Sequence, residues 1–321
     1  MPPSSGRIVV LGGGTGITAC LRGLKTRTRE ITAVVTVADD GGSSGRLRKD
    51  YQILAPGDAR SCLVALATGD PLLQDLFSYR FTDSVLRGHA FGNLMLAVLT
   101  QLTGSFTESL QRAAALLECA GEVVPSTETR VVLEALHADG SKSTGEQAIS
   151  RSAKPIVKMQ LRPQPPAIDP ALAARIHGAA AVVLGPGSLY TSILPNLLVP
   201  GMVDAIQACR GRVILVANLM TQPGETDGFD IERHVKSLQA ISGLERIDCV
   251  LASSSQLPEV VLAHYADDGA APMEAAPTTS SVAGIPLLVR ALSTVLPGGM
   301  VRHDSERLAA EVLAISQEVR A

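Results

Sequence analysis

Short apolar runs rich in β-branched residues recur along the chain, and most end in a polar, glycine-bearing segment followed by helical spacing. The first, residues 7–11, reads as a buried strand and leads through Gly12, Gly13, Gly14, Thr15 and Gly16 to the periodic positions Ile17, Cys20, Leu21 and Leu24. The second, 31–37, ends in two adjacent carboxylates, Asp39 and Asp40, and then in Gly41, Gly42, Ser43, Ser44 and Gly45, which predicts a strand feeding a ligand loop. Helical patterns follow at 62–67, 94–102 and 106–119. Around 130–161 the pattern changes, with an Asp139–Gly140 turn signal between two apolar runs, which predicts an antiparallel hairpin insertion. Pro163, Pro165 and Pro166 make a stiff connector to a helix at 170–177. The strand at 179–184 then ends in Gly185, Pro186, Gly187, Ser188, Leu189 and Tyr190, and the strand at 212–217 ends in a dense polar stretch containing Asn218, Thr221, Gln222, Glu225 and Thr226. A helix at 231–238, a strand at 248–251, a helix carrying His264 and Tyr265, a strand at 285–289 and a last helix from Ser305 complete the series. Alternation of this kind predicts an α/β fold: a Rossmann-like, doubly wound, mostly parallel sheet in a single domain over 1–321, with 1–6 as a disordered lead.

In a parallel sheet the loops at the strand ends gather on one edge, where ligands of open α/β folds bind. Glycines there let the backbone approach a ligand and point N–H groups at an anion, and small hydroxyl residues add donors without bulk. Three such loops, after the strands at 7–11, 31–37 and 179–184, therefore predict a phosphate-bearing ligand. A solvated Gly/Ser turn would explain the second loop's glycines but not its paired aspartates. The spacing Gly14-Thr15-Gly16-Ile17-Thr18-Ala19 also satisfies G-x-G-x-x-A, with Asp39 placed as in a dinucleotide-binding fold; the match is weak by itself, and the absence of a following Lys excludes a Walker loop. Asp58 and Arg60 fall at the start of a helix, where a carboxylate or a bound anion is favoured and where Asp58 would also serve as a simple N-cap. Asn93 either caps its helix or faces the ligand, and His89 is either structural or part of the site.

Composition narrows the class. The chain has 321 residues, enough for a substantial core, with 46% apolar and 18% charged residues and a net charge of -3, so it lacks the basic surplus of a nucleic-acid binder. Proline and glycine cut every long apolar run well short of a membrane span, and residues 8–11 are too short for a signal-peptide core, which predicts a cytoplasmic protein. The five cysteines are scattered, without a C-x-x-C pair, and suggest neither disulfides nor zinc. No Cys-His-Asp arrangement offers a covalent nucleophile.

Taken together, the loops 12–16, 39–45, 56–60, 92–93, 185–190 and 218–226 resemble those of the gluconeogenesis factor family, the YvcK-type proteins within the wider 2-phospho-L-lactate transferase (CofD-like) group. The likeness runs from the first strand to the last helix. It implies a cytosolic, usually dimeric protein that binds a UDP-sugar, typically UDP-N-acetylglucosamine, and links central carbon use to cell-wall synthesis and cell shape, with wall or signalling proteins as partners. It also implies that the uridine end is held partly by Tyr265 and Arg302. A blander account has Tyr265 partly buried on its helix and Arg302 paired with Asp304 or Glu306. The transferase branch of the group works with carboxylates on a divalent metal, and Asp40 and Asp58 match its ligands, with magnesium a suitable guest. The reading preferred from the sequence is a sensor without turnover; a magnesium-dependent transferase and an NAD-linked oxidoreductase are the alternatives.

Overall fold

Buried, almost wholly apolar strands form the centre of the protein. The computed structural model describes residues 6–254, 257–273, 275 and 278–318, so most of the expected lead lies outside the described residues. The strands, in chain order, are β1 (Ile8–Gly12), β2 (Ile31–Val35), β3 (Glu122–Pro125), β4 (Val132–His137), β5 (Lys142–Thr144), β6 (Ile156–Arg162), β7 (Ala181–Leu184), β8 (Arg212–Val216), β9 (Cys249–Ser253), β10 (Ser281–Val282), β11 (Ile285–Arg290), β12 (Ser293–Val295) and β13 (Val301–His303). Eight of them make one sheet in the order β10-β11-β9-β8-β7-β1-β2-β3. Every pairing in it is parallel except β10 with β11. β1, β2, β7 and β9 are buried along their whole length, as expected for parallel strands covered on both faces.

From β1 the chain steps to β2 and then β3 on one side, whereas β7 lies on the other side of β1 and leads outward to β8 and β9. Right-handed crossovers running in opposite directions place their helices on opposite faces. Gly14–Leu24, Gly57–Leu66 and Ser305–Gln317 pack together as one layer; Pro170–His177, Leu194–Leu197, Met202–Gln207 and Ile231–Ser242 form another. A single buried cluster joins both layers to the sheet, from Ile8 to Ile315.

The insertion is a three-stranded antiparallel sheet, β5-β4-β6, with the short helix Glu146–Ser150 between β5 and β6. Its β4–β5 turn lies at Asp139 and Gly140, as predicted, with Asp139 accepting from the Ser141 N–H at 2.9 Å. Several elements differ from the sequence expectation. Residues expected as the second glycine loop form the start of the helix Gly42–Tyr51, because the missing side chain at Gly45 lets the turn close on the Asp40 carbonyl, which a Cβ there would approach to 2.1 Å. The first helix begins at Gly14, three residues before the periodic pattern, with Gly13 as its N-cap. Pro71–Ser78, capped by Asp70, was not expected, nor were the edge strand β3 and the β12–β13 hairpin. They are too short for periodicity to register.

Candidate functional site

The strand order reverses between β1 and β7, and the loops leaving their carboxyl ends flank the crevice at that switch point. The two loops approach each other closely. A Cβ on Gly16 would stand 2.4 Å from the Pro186 carbonyl oxygen, so only glycine lets the first helical turn pass the third glycine loop. Above them opens a cavity of about 670 Å³, within the range of small-molecule sites. It brings together Gly13, Gly14, Thr15, Gly16, Gly187, Ser188, Asn218, Thr221, Gln222, Glu225, Tyr265 and Arg302 of the expected residues.

One end of this cavity is built of backbone and hydroxyls. Gly13 caps the helix Gly14–Leu24 without a side-chain hydrogen bond, leaving the first turn open to an acceptor from a ligand. The Gly14 N–H donates to the Asp58 carboxylate, and the Gly187 N–H donates to Asn218 Oδ1 at 3.2 Å. Ser188 caps the single π-helical turn Leu189–Ile193. Glu225 accepts from the Ser150 hydroxyl at 2.6 Å and from the Ser188 hydroxyl, so one carboxylate joins the loop after β8, the loop after β7 and the insertion.

Carboxylates dominate the electrostatics. Burial, and secondarily the charge of Asp39, raise the Asp58 carboxyl to about 6. Glu146, from the first turn of the insertion's helix, is raised to about 8 by burial and then by Asp39, Asp58, Glu225 and Asp40. Asp39 rather than Asp40 is thus the carboxylate that bears on Asp58. Asp40 turns to the insertion, where its Oδ1 accepts from the Gln147 N–H at 3.3 Å and its Oδ2 lies against Gly145. Among the described residues no three His, Cys, Asp or Glu side chains are grouped to hold a metal by themselves. Magnesium commonly takes one or two carboxylates and completes its shell with phosphate oxygens and water, and Asp58 beside Asp39 fits such a partial set.

A further part of the lining comes from the C-terminal third. The Tyr265 hydroxyl accepts from the Val301 N–H at 2.9 Å, and its ring packs beside Met220, Val261 and Val301. Arg302 donates to its neighbour's carbonyl at Val301 and has no carboxylate partner among the described residues: Asp304 pairs with Arg307 and Glu306 with Arg27. The Thr221 hydroxyl accepts from the Ala271 N–H at 2.8 Å, pinning the loop after β8, and Gln222 Oε1 is buried without a partner among the described residues.

Asp39, Asp40, Asp58, Ser43, Ser44, Gly45, Arg60, Asn93, Gly185, Tyr190 and Thr226 lie outside the cavity lining. Arg60 Nε donates to Asn93 Oδ1 at 3.1 Å, the Asn93 amide donates to the Ser43 hydroxyl at 3.3 Å, and Ser43 meets His89 Nδ1 at 3.0 Å. These bonds tie the helices starting at Gly42, Gly57 and Phe91 to one another. Neither Asp58 nor Asn93 is an N-cap, those positions being Pro56 and Ala90. Tyr190 bonds to Ser237 and meets Phe229 edge-on, on the far side of Glu225. Thr226 is spent on the Gln222 N–H at 2.8 Å. Sequence reasoning missed Glu146, Ser150, Ser192 and His303. A glycine before Glu146 in an otherwise alternating insertion was the one local signal.

Comparison with known proteins gives the family. The chain matches the family model of 2-phospho-L-lactate transferase CofD over residues 8–292. It is 38% identical to the gluconeogenesis factor of Bacillus subtilis over 313 residues, covering 97% of this chain and 98% of that one. It is 43% identical to the gluconeogenesis factor of Halalkalibacterium halodurans over 267 residues, 83% of each. A crystal structure of a UPF0052 family member from Bacillus halodurans superposes with a TM-score of 0.91 at 38% identity, covering 96% of this chain and 99% of that chain.

Proposed function

Since the chain belongs to the CofD family, with the gluconeogenesis factors among its relatives, we propose that it is a UDP-sugar-binding regulatory protein. In this reading it takes UDP-N-acetylglucosamine and links carbon metabolism to cell-wall synthesis and cell shape during gluconeogenic growth, in the cytoplasm. The observation that carries the reading is the lining of the cavity at the switch point. It joins the backbone turns at Gly13–Gly16 and Gly187, which suit a diphosphate, to the Tyr265 ring and to Arg302, which has no carboxylate partner among the described residues, and these suit a nucleoside. Among the described residues no helix is long and apolar enough to cross a membrane. A homodimer is supported by the helix Phe91–Thr103, which bears no charged residue and leaves Val98 and Leu102 exposed.

A second reading, a magnesium-dependent transferase acting on a nucleotide-linked phosphoryl substrate, is favoured by the Asp39, Asp58 and Glu146 carboxylates. There Asp58 and Asp39 would hold the ion, which would neutralise the phosphates when bound. The NAD-linked alternative has only the Gly14–Ala19 spacing behind it, since Asp39, the residue that would hold a ribose, accepts from the Gly41 N–H at 2.7 Å and bears on Asp58. Calorimetry with UDP-N-acetylglucosamine, NAD and a nucleoside triphosphate, each with magnesium or chelator, separates the three. The regulatory reading expects UDP-sugar binding without turnover and, for Arg302→Ala, a loss of more than about tenfold with unchanged apo stability. Magnesium-dependent release of a nucleoside phosphate from the UDP-sugar would replace it with the transferase.

A further inference from the structure

His303 ends β13 in the cavity wall, 8% exposed, and its Nε2 is buried without a hydrogen-bond partner among the described residues. Its ring bonds instead to the backbone of Ala217, just beyond β8. The Ala217 N–H is already donated to the Leu251 carbonyl, so the group engaged is the Ala217 carbonyl and the imidazole nitrogen facing it carries the proton. That fixes the tautomer and leaves Nε2 with a lone pair. Burial lowers the His303 pKa to about 4, so the ring is neutral under physiological conditions. Neighbouring groups are committed elsewhere: Tyr265 to Val301, Asp304 to the first turn of the last helix and to Arg307, and Arg302 brings a positive charge. An acceptor buried with no donor is costly and calls for an explanation. Gln222 Oε1, a second unpartnered acceptor, lies in the wall of the same cavity.

We propose that His303 is a specificity-determining residue, whose Nε2 accepts a hydrogen bond from a donor on the ligand's nucleoside, either the ring N–H of a uracil or the ribose 2′-hydroxyl. This rests on the nucleotide-sugar reading above. A base lacking a ring N–H at that position, or a sugar lacking the hydroxyl, leaves the acceptor bare and is rejected.

The test is a cycle of ligand and protein changes: UDP, N3-methyl-UDP and 2′-deoxy-UDP are titrated into the wild type, His303→Phe and His303→Gln. In the wild type one of the two modified nucleotides binds at least about tenfold more weakly than UDP, and it identifies the donor. His303→Phe should weaken UDP by a similar factor while binding that modified nucleotide as well as it binds UDP. His303→Gln, which keeps an acceptor, should stay within a few-fold of the wild type. Apo His303→Phe also gives up the ring's bond to the Ala217 carbonyl and should melt somewhat lower than the wild type, so affinities are compared per folded protein. Equal penalties for the modified nucleotides in wild type and His303→Phe would overturn the assignment and make His303 a structural residue. Failure of UDP and UDP-N-acetylglucosamine to bind the wild type at all would refute the nucleotide-sugar reading itself, a different result from binding without coupling.

Discussion

Glu146 offers the sharpest quantitative check, because its surroundings oppose its own charge. Burial and four other carboxylates hold its folded-state pKa near 8, against 4.5 for the free side chain. A group whose pKa rises on folding stabilises the native state fully below its unfolded pKa and loses that contribution as pH climbs through the folded value. The window therefore runs from about 4.5 to about 8. At pH 7 the unfolded chain carries an ionised Glu146 while the folded one must keep it largely protonated, at a cost of roughly 3 kcal/mol as an upper limit. Glu146→Gln keeps the volume and removes the proton linkage. Urea unfolding of the apo protein in chelator should show the variant more stable by ~2–3 kcal/mol at pH 7–8 and equal to the wild type near pH 4.5, with a melting rise at pH 7 on the order of 5 °C. A variant less stable at pH 8, or one whose advantage is the same at pH 4.5 and pH 8, would show that Glu146 does not face the carboxylate cluster as described.

Two further perturbations address the architecture of the crevice. Gly16→Ala sets a Cβ about 2.4 Å from the Pro186 carbonyl oxygen, a backbone atom that cannot swing aside, so both loops must part; UDP-sugar affinity should fall by more than about tenfold and apo stability by roughly 1–3 kcal/mol, by calorimetry and urea titration. Glu225→Ala removes the acceptor shared by Ser150 and Ser188; amide exchange should quicken in the helix Glu146–Ser150 while β4 and β6 keep their protection, and unchanged exchange would mean that the insertion is held by its own packing.

Much of the strand and helix pattern was legible in the chain because it is local. The largely apolar runs at β1, β2, β7 and β8, each followed by glycines or polar residues, announce buried parallel strands with loops at one edge, and the Asp139–Gly140 turn announces the insertion. Where helices begin was less legible: Gly14 and Gly42 open helices at positive φ although glycine is a poor helix former, and the turns they start are fixed by close packing of Gly16 on the Pro186 carbonyl and of Gly45 on the Asp40 carbonyl. Membership of the site was decided by tertiary structure. Asp39 and Asp40 look alike in sequence, yet one turns towards Asp58 and the other to the insertion. Glu146 and His303 reach the site from segments whose own pattern says nothing of a ligand. Periodicity reports which residues a strand buries, but strands with the same apolar pattern can be ordered in many ways. Placing β7 beside β1, and so creating the crevice, depends on how whole layers of helices pack over the sheet.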